Sequence, residues 1–216
     1  QVLILPTGDY ATTLGKAGAD NLRDWVKQGG VLITLSSATA YAASNEVGLL
    51  DIKREDAYQD ATDEPDEPAE DTRPGSILDT DDALRLAITS TGQKPDYVPG
   101  ILANITIDTH HWLTAGVHTN LVAMVQGNAI YAPIKLASGN NIAWFNGADE
   151  LLASGYLWQE NRQQLARKPF MVHQPMGRGM VIGFTQEPTY RAYLEGLNVL
   201  LMNSLFRAPA HASPAF

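Results

Sequence analysis

Ser36 is the residue best placed to do chemistry. It follows the strand-like Val31-Leu32-Ile33-Thr34-Leu35 and precedes the helix-like stretch Ala38 to about Ser44, so a buried strand, a tight turn and a helix are expected in that order. A hydroxyl at such a turn sits at the N-terminus of the following helix, whose dipole favours developing negative charge. It becomes a nucleophile when a base stands within hydrogen-bond reach. His110, His111 and His173 are the candidate bases, which makes a serine-dependent hydrolase one reading. The other is that Ser36 and Ser37 cap the helix. The chain has no cysteine, so thiol nucleophiles, thiolate metal sites and disulfides are excluded.

Two further turns belong beside Ser36. The strand-like Val2-Leu3-Ile4-Leu5 closes on Pro6-Thr7-Gly8-Asp9, and Met180 to Phe184 runs into Thr185-Gln186-Glu187. Open α/β sheets bind ligands beyond the C-terminal ends of their strands. Gly8, Asp9, Ser36, Ser37, Thr185 and Glu187 are therefore the candidate cleft. The histidines do not read as a metal site: His110 and His111 are adjacent and point to opposite faces of a strand, and no H-x-x-E or H-E-x-x-H pairing exists. Gly177-Arg178-Gly179 precedes a strand instead of opening a helix, so it reads as a hairpin turn rather than a phosphate loop. Trp112, Trp144, Tyr156 and Trp158 suggest a third reading, a carbohydrate or small-molecule binding module. Aromatic residues at strand spacing also serve as core.

The positioning elements follow from periodicity. Leu14 to Gln28 is an amphipathic helix stopped by Gly29-Gly30, flanked by buried strands at Val2–Leu5 and Val31–Leu35. This order predicts right-handed crossovers and a doubly wound parallel sheet. A short helix is expected over Asp79 to Ala87. From about 101 to 145 the pattern changes to alternating strands, including Ala129 to Leu136, with turn signals between them, which predicts an inserted antiparallel segment. Leu151 to Trp158 reads as another strand, Phe170–Gln174 and Met180–Phe184 as a strand pair, and about Tyr190 to Phe206 as a closing helix.

The 216 residues, 44% hydrophobic, suffice for one sizeable domain. A net charge of -9 argues against duplex nucleic acid and anionic membranes as partners. No apolar run approaches the ~20 residues that span a bilayer. Nine of the acidic residues fall between Glu55 and Asp71, without a Lys or Arg and interleaved with Pro65 and Pro68; residues 55–76 read as an acidic loop or linker. The calcium-loop spacing is missing there. The start at Gln1, directly before a buried strand, suggests a piece of something larger.

Several stretches together resemble the class I glutamine amidotransferase-like domain found at the C-terminus of bacterial zinc carboxypeptidases of the carboxypeptidase A superfamily. They are Val2 to Pro6, Leu22 to Gly30, Glu46 to Leu50, Val98 to Gly100, Ser154 to Trp158, Gly177 to Phe184, Tyr190 to Ala192 and Leu200 to Phe206. Broader amidotransferase-like families, including trehalose-utilisation-type proteins, share the final glycine turn, strand and helix. The resemblance implies a flavodoxin-like three-layer, mostly parallel sheet in which the first strand and helix would precede Gln1. In the amidotransferases a cysteine and an F-H-P-E histidine form the catalytic pair. Here the cysteine position falls on Leu35 or Ser36, the histidine position is Thr185, and the glutamate position is Glu187. The resemblance thus implies a non-catalytic accessory domain over residues 1–216, with zinc only in a parent peptidase domain, that domain or a missing N-terminal segment as partner, and a periplasmic or secreted location.

Overall fold

The computed structural model describes residues 1–57 and 94–213. Most of the acidic segment and the helix expected over Asp79 to Ala87 lie outside the described residues. In chain order the elements are β1 (Val2–Leu5), α1 (Tyr10–Lys27), β2 (Val31–Leu35), α2 (Ser37–Ala43), β3 (Val98–Ile107), β4 (Asn120–Gly127), β5 (Asn140–Phe145), α3 (Ala148–Leu151), β6 (Leu152–Ser154), α4 (Gln159–Leu165), β7 (Pro169–Met176), β8 (Gly179–Phe184), α5 (Glu195–Phe206) and α6 (Ala208–His211).

The eight strands among the described residues join one open sheet in the order β1-β2-β8-β7-β5-β3-β4, with β6 also paired to β3. The expected α/β architecture with parallel and antiparallel strands is present. The parallel part is confined to β1, β2 and β8, held by Val2↔Val31 through Leu5↔Thr34 and Val31↔Met180 through Leu35↔Phe184. The remaining five pairings are antiparallel, so the sheet is not mostly parallel. The antiparallel strands expected between about 101 and 145 are present as β3, β4 and β5, and together with β6 and β7 they form more than half of the sheet, continuous with the parallel strands through the β7–β8 hairpin. Hairpin turns such as Gly177-Arg178 explain this, because short connections return the chain antiparallel whereas parallel neighbours need a crossover.

Alternation divides the core between the two faces. In β2, Val31, Ile33 and Leu35 point to one face and Leu32 to the other, and all five residues of the strand are buried. Ala19 and Val26 of α1, Ala38 and Ala42 of α2, and the apolar run Leu49, Leu50 and Ile52 cover the Leu32 side. Leu197 and Leu200 of α5, Ala208 of α6 and Leu113 cover the opposite side. At the sheet edge β1 pairs only with β2 among the described residues, and Leu3 is 37% exposed.

Three local expectations are corrected. Ala129 to Leu136 is not a strand: apart from one bridge from Tyr131 to Arg54 it is loop. Pro133 cannot donate to a ladder, and Asn141 takes over the ladder's role, accepting from the Ile134 N–H (3.1 Å) and donating to its carbonyl (3.0 Å). Leu151 to Trp158 contains only the three-residue β6, preceded by the helical turn α3 and followed by exposed Tyr156 and Trp158. The closing helix starts at Glu195 rather than Tyr190, because Arg191 and Ala192 both take positive φ (51°). No helix among the described residues is long and apolar enough to cross a membrane.

Candidate functional site

Gly8, Asp9, Ser36, Ser37, Thr185 and Glu187 follow the C-terminal ends of β1, β2 and β8, neighbouring strands of the sheet. Ser36 leaves β2 with φ 50° and ψ -111°, a backbone conformation natural to glycine and strained for serine. Its N–H donates to the Phe184 carbonyl (2.9 Å), and its carbonyl accepts from Thr39 N–H (3.0 Å), which starts α2. The sharp strand-to-helix turn is therefore real. The capping expectation is corrected for Ser36, which occupies the N-cap but makes no side-chain capping bond; its φ of 50° is outside the extended range usual for a capping serine. Replacing Ser36 with glycine relieves the strain, and after the larger chain entropy of glycine a net gain of about 1 kcal/mol is expected. A thermal melt checks this; an unchanged or lower midpoint would mean the turn is unstrained.

Ser37 is tied to the β1 turn. The Gly8 N–H donates to Ser37 Oγ (2.9 Å), and the Ser37 hydroxyl donates to the Gly8 carbonyl (3.0 Å). The Gly8 amide is thus already satisfied within the chain. Asp9 caps α1: its carboxylate accepts from Thr12 N–H (3.3 Å) and Thr12 Oγ1 (2.7 Å). The Thr12 hydroxyl and N–H hold its carboxyl below the usual range.

Thr185 is buried, and its hydroxyl donates back to the Pro169 (2.9 Å) and Phe170 (3.3 Å) carbonyls of β7. It faces the sheet interior and offers no base to the cleft. Glu187 accepts from Thr189 N–H (3.1 Å), Thr189 Oγ1 and, from the turn after β1, Thr7 Oγ1 (3.4 Å). Gln186, which carries no distinguishing signal in the sequence, is buried, and its Oε1 accepts from Gln126 N–H (3.2 Å) of β4.

The histidines gather elsewhere. His173 lies opposite Ile182, which lies opposite Ile33, so it sits roughly 10 Å back along the strands from Ser36. No hydrogen bond joins the Ser36 side chain to an imidazole among the described residues. His173 instead meets His111 (ring centroids 5.2 Å) and Trp112 (5.8 Å), while His211 of α6 stacks on Trp112 at 4.0 Å. Burial, then His111 and His211, push the His173 pKa down to about 4. Burial also lowers that of His111, against the pull of Asp108. His111 Nδ1 accepts from Leu113 N–H (3.2 Å), which leaves the proton on Nε2 and disfavours metal ligation there. Among the described residues no group of three or more His, Asp or Glu is arranged to hold a metal ion.

The four aromatics do not share a face. Trp112 packs against the core beneath α5, Tyr156 and Trp158 form an exposed edge-to-face pair, and Trp144 alternates with buried Phe145 and lines a separate cavity.

No family model and no curated protein matches this chain. Among solved structures it is similar to two cytoplasmic proteins of Salmonella typhimurium, at 11% and 10% identity and TM-scores of 0.53 and 0.54, covering 96% of this chain and 71% of each. It is also similar to a ThuA-like protein from Parabacteroides merdae, at 10% identity and TM-score 0.51, over all of this chain and 72% of that one. At these identities the likeness is one of fold.

Proposed function

We propose that this chain is a non-catalytic, flavodoxin-like amidotransferase domain whose cleft has been converted from a reaction centre into a bonded joint between strand ends. The observation that carries the reading is Thr185, whose buried hydroxyl is spent on the β7 backbone at the position where the resembled enzymes hold their base. The Gly8–Ser37 pair supports it, since the backbone amide at the β1 turn already donates within the chain rather than facing a substrate. The ThuA-like neighbour supports the amidotransferase-like scaffold. The accessory role to a zinc carboxypeptidase-like parent rests on the sequence resemblance alone. Its test is the gene: a reading frame running upstream of Gln1 into a zinc peptidase domain supports it, and a stop codon there overturns it.

The strained turn at Ser36 favours a second reading, a serine hydrolase, because nucleophiles are often presented on such elbows. A fluorophosphonate probe separates the two. No labelling and no release of ammonia from glutamine are expected; labelling or turnover that disappears in Ser36→Ala would establish the hydrolase.

A further inference from the structure

The antiparallel half of the sheet carries a cavity of about 380 Å³, a size in the range of small-molecule sites, lined by Thr106, Trp144, Asn146, Glu150 and Arg167 among others. Its floor follows from the pleat. Trp144 and Asn146 are two residues apart and Thr106 lies opposite Trp144, so all three share one face. The Thr106 hydroxyl donates to Asn146 Oδ1 (2.8 Å), which orients the amide and leaves its NH₂ without a bonding partner among the described residues.

Two opposite charges stand at this cavity without partners among the described residues. Arg167 takes positive φ (61°) and is held there by its N–H, which donates to the Phe145 (3.1 Å) and Asn146 (3.3 Å) carbonyls. Strained backbone of this kind concentrates at binding sites. The Arg167 guanidinium reaches over Gly147, where an added Cβ would meet it at 3.4 Å. Among the described residues neither Arg167 nor Glu150 forms a side-chain hydrogen bond or ion pair, although both line the same cavity. The next residue, Lys168, is by contrast paired with Glu55 at 2.5 Å.

We propose that this cavity binds a free α-amino acid with an apolar or aromatic side chain. The Arg167 fork receives the carboxylate, Glu150 the ammonium, and the Trp144 indole the side chain. A guanidinium matches a carboxylate bidentately, and an aromatic wall favours a flat apolar group. Two unpaired charges of opposite sign flanking one cavity match a zwitterion better than a neutral sugar or a simple anion.

Calorimetric titration of the chain with L-phenylalanine, phenethylamine and 3-phenylpropionate tests this, because the last two each lack one charge. Binding of L-phenylalanine in the millimolar range or tighter is expected, weakened at least about tenfold by removal of either charge from the ligand. Arg167→Gln and Glu150→Gln should each weaken it similarly. Arg167→Lys, which keeps the charge but not the fork, should recover only part of the affinity. Circular dichroism melts of the variants confirm that they are folded, and Trp144→Phe gives a binding readout should Arg167→Gln unfold. No binding of L-phenylalanine, equal binding of 3-phenylpropionate, or affinity indifferent to Arg167 and Glu150 would each overturn the proposal.

Discussion

Gly179→Ala should destabilise the chain by about 3 kcal/mol or more, lowering the melting midpoint by roughly 6–12 °C for a domain of this size. An alanine Cβ at 179 would lie 2.1 Å from the Gly30 carbonyl oxygen and 2.2 Å from that of Val26. Both are backbone atoms, so no rotamer change relieves the clash. The contact sits where the C-terminal end of α1, the start of β2 and the start of β8 meet. Met180 N–H donates to the Gly30 carbonyl (3.2 Å) and Arg178 N–H to that of Lys27 (2.9 Å). Moving β8 away from Gly30 would disturb the pairing Val31↔Met180 and, with it, the buried register of β2. Gly116→Ala is the matched control: its Cβ meets nothing within 4 Å, and only its positive φ (78°) resists the change. About 1 kcal/mol is expected there. Equal melting midpoints for the two variants would show that the hairpin is not packed as described.

The same turn shows what the sequence made legible. Gly177-Arg178-Gly179 reads as a hairpin because glycines precede a strand, and the β7–β8 ladder from Met171↔Phe184 to Met176↔Gly179 is what forms. Val31 to Leu35 reads as a buried strand because four of its five residues are large and apolar, and both core layers do claim it. The convergence of Gly8, Ser36 and Glu187 was legible for the same reason: parallel strands bring their C-terminal ends to one rim. What that rim does with its hydrogen bonds was not. Nothing in Thr185 as a letter distinguishes a hydroxyl facing the cleft from one donating to Pro169.

Long-range assembly was the other blind spot. His111, His173 and His211 come from a loop, a strand and a C-terminal helix, and their spacing carries no common period. Arg167 and Glu150 are likewise joined only by the return of the chain from α4 into β7. Local pattern also failed at Ala129 to Leu136, where alternation suited a strand but Pro133 and the Asn141 amide imposed a bonded loop.

The histidine cluster yields the second large effect, a stability that falls with acid. His173 is buried and its pKa in the folded chain is pushed down to about 4 from an ordinary value of 6.5, so between these values the unfolded chain binds a proton that the folded chain refuses. Stability therefore rises with pH across that window. Above about pH 6.5 His173 is neutral in both states and contributes nothing; the loss accumulates on acidification and levels off below about pH 4, reaching on the order of 3 kcal/mol. The groups around it reinforce the sign. A charge on His173 would stand beside His111 and near His211, while Asn140, whose amide lies 3.4 Å from His173 Nδ1, is neutral, and Asp108 acts on His111. Because carboxylates also titrate in this range, the decisive comparison is a difference: urea unfolding of the native chain and of His173→Gln at pH 7.5 and 4.5. The native chain should lose more stability than the variant over that interval, most of it between pH 6.5 and 4.5. Parallel losses in the two proteins would mean that His173 is protonated in the folded chain and that the packing of His111 and Trp112 against it tolerates the charge.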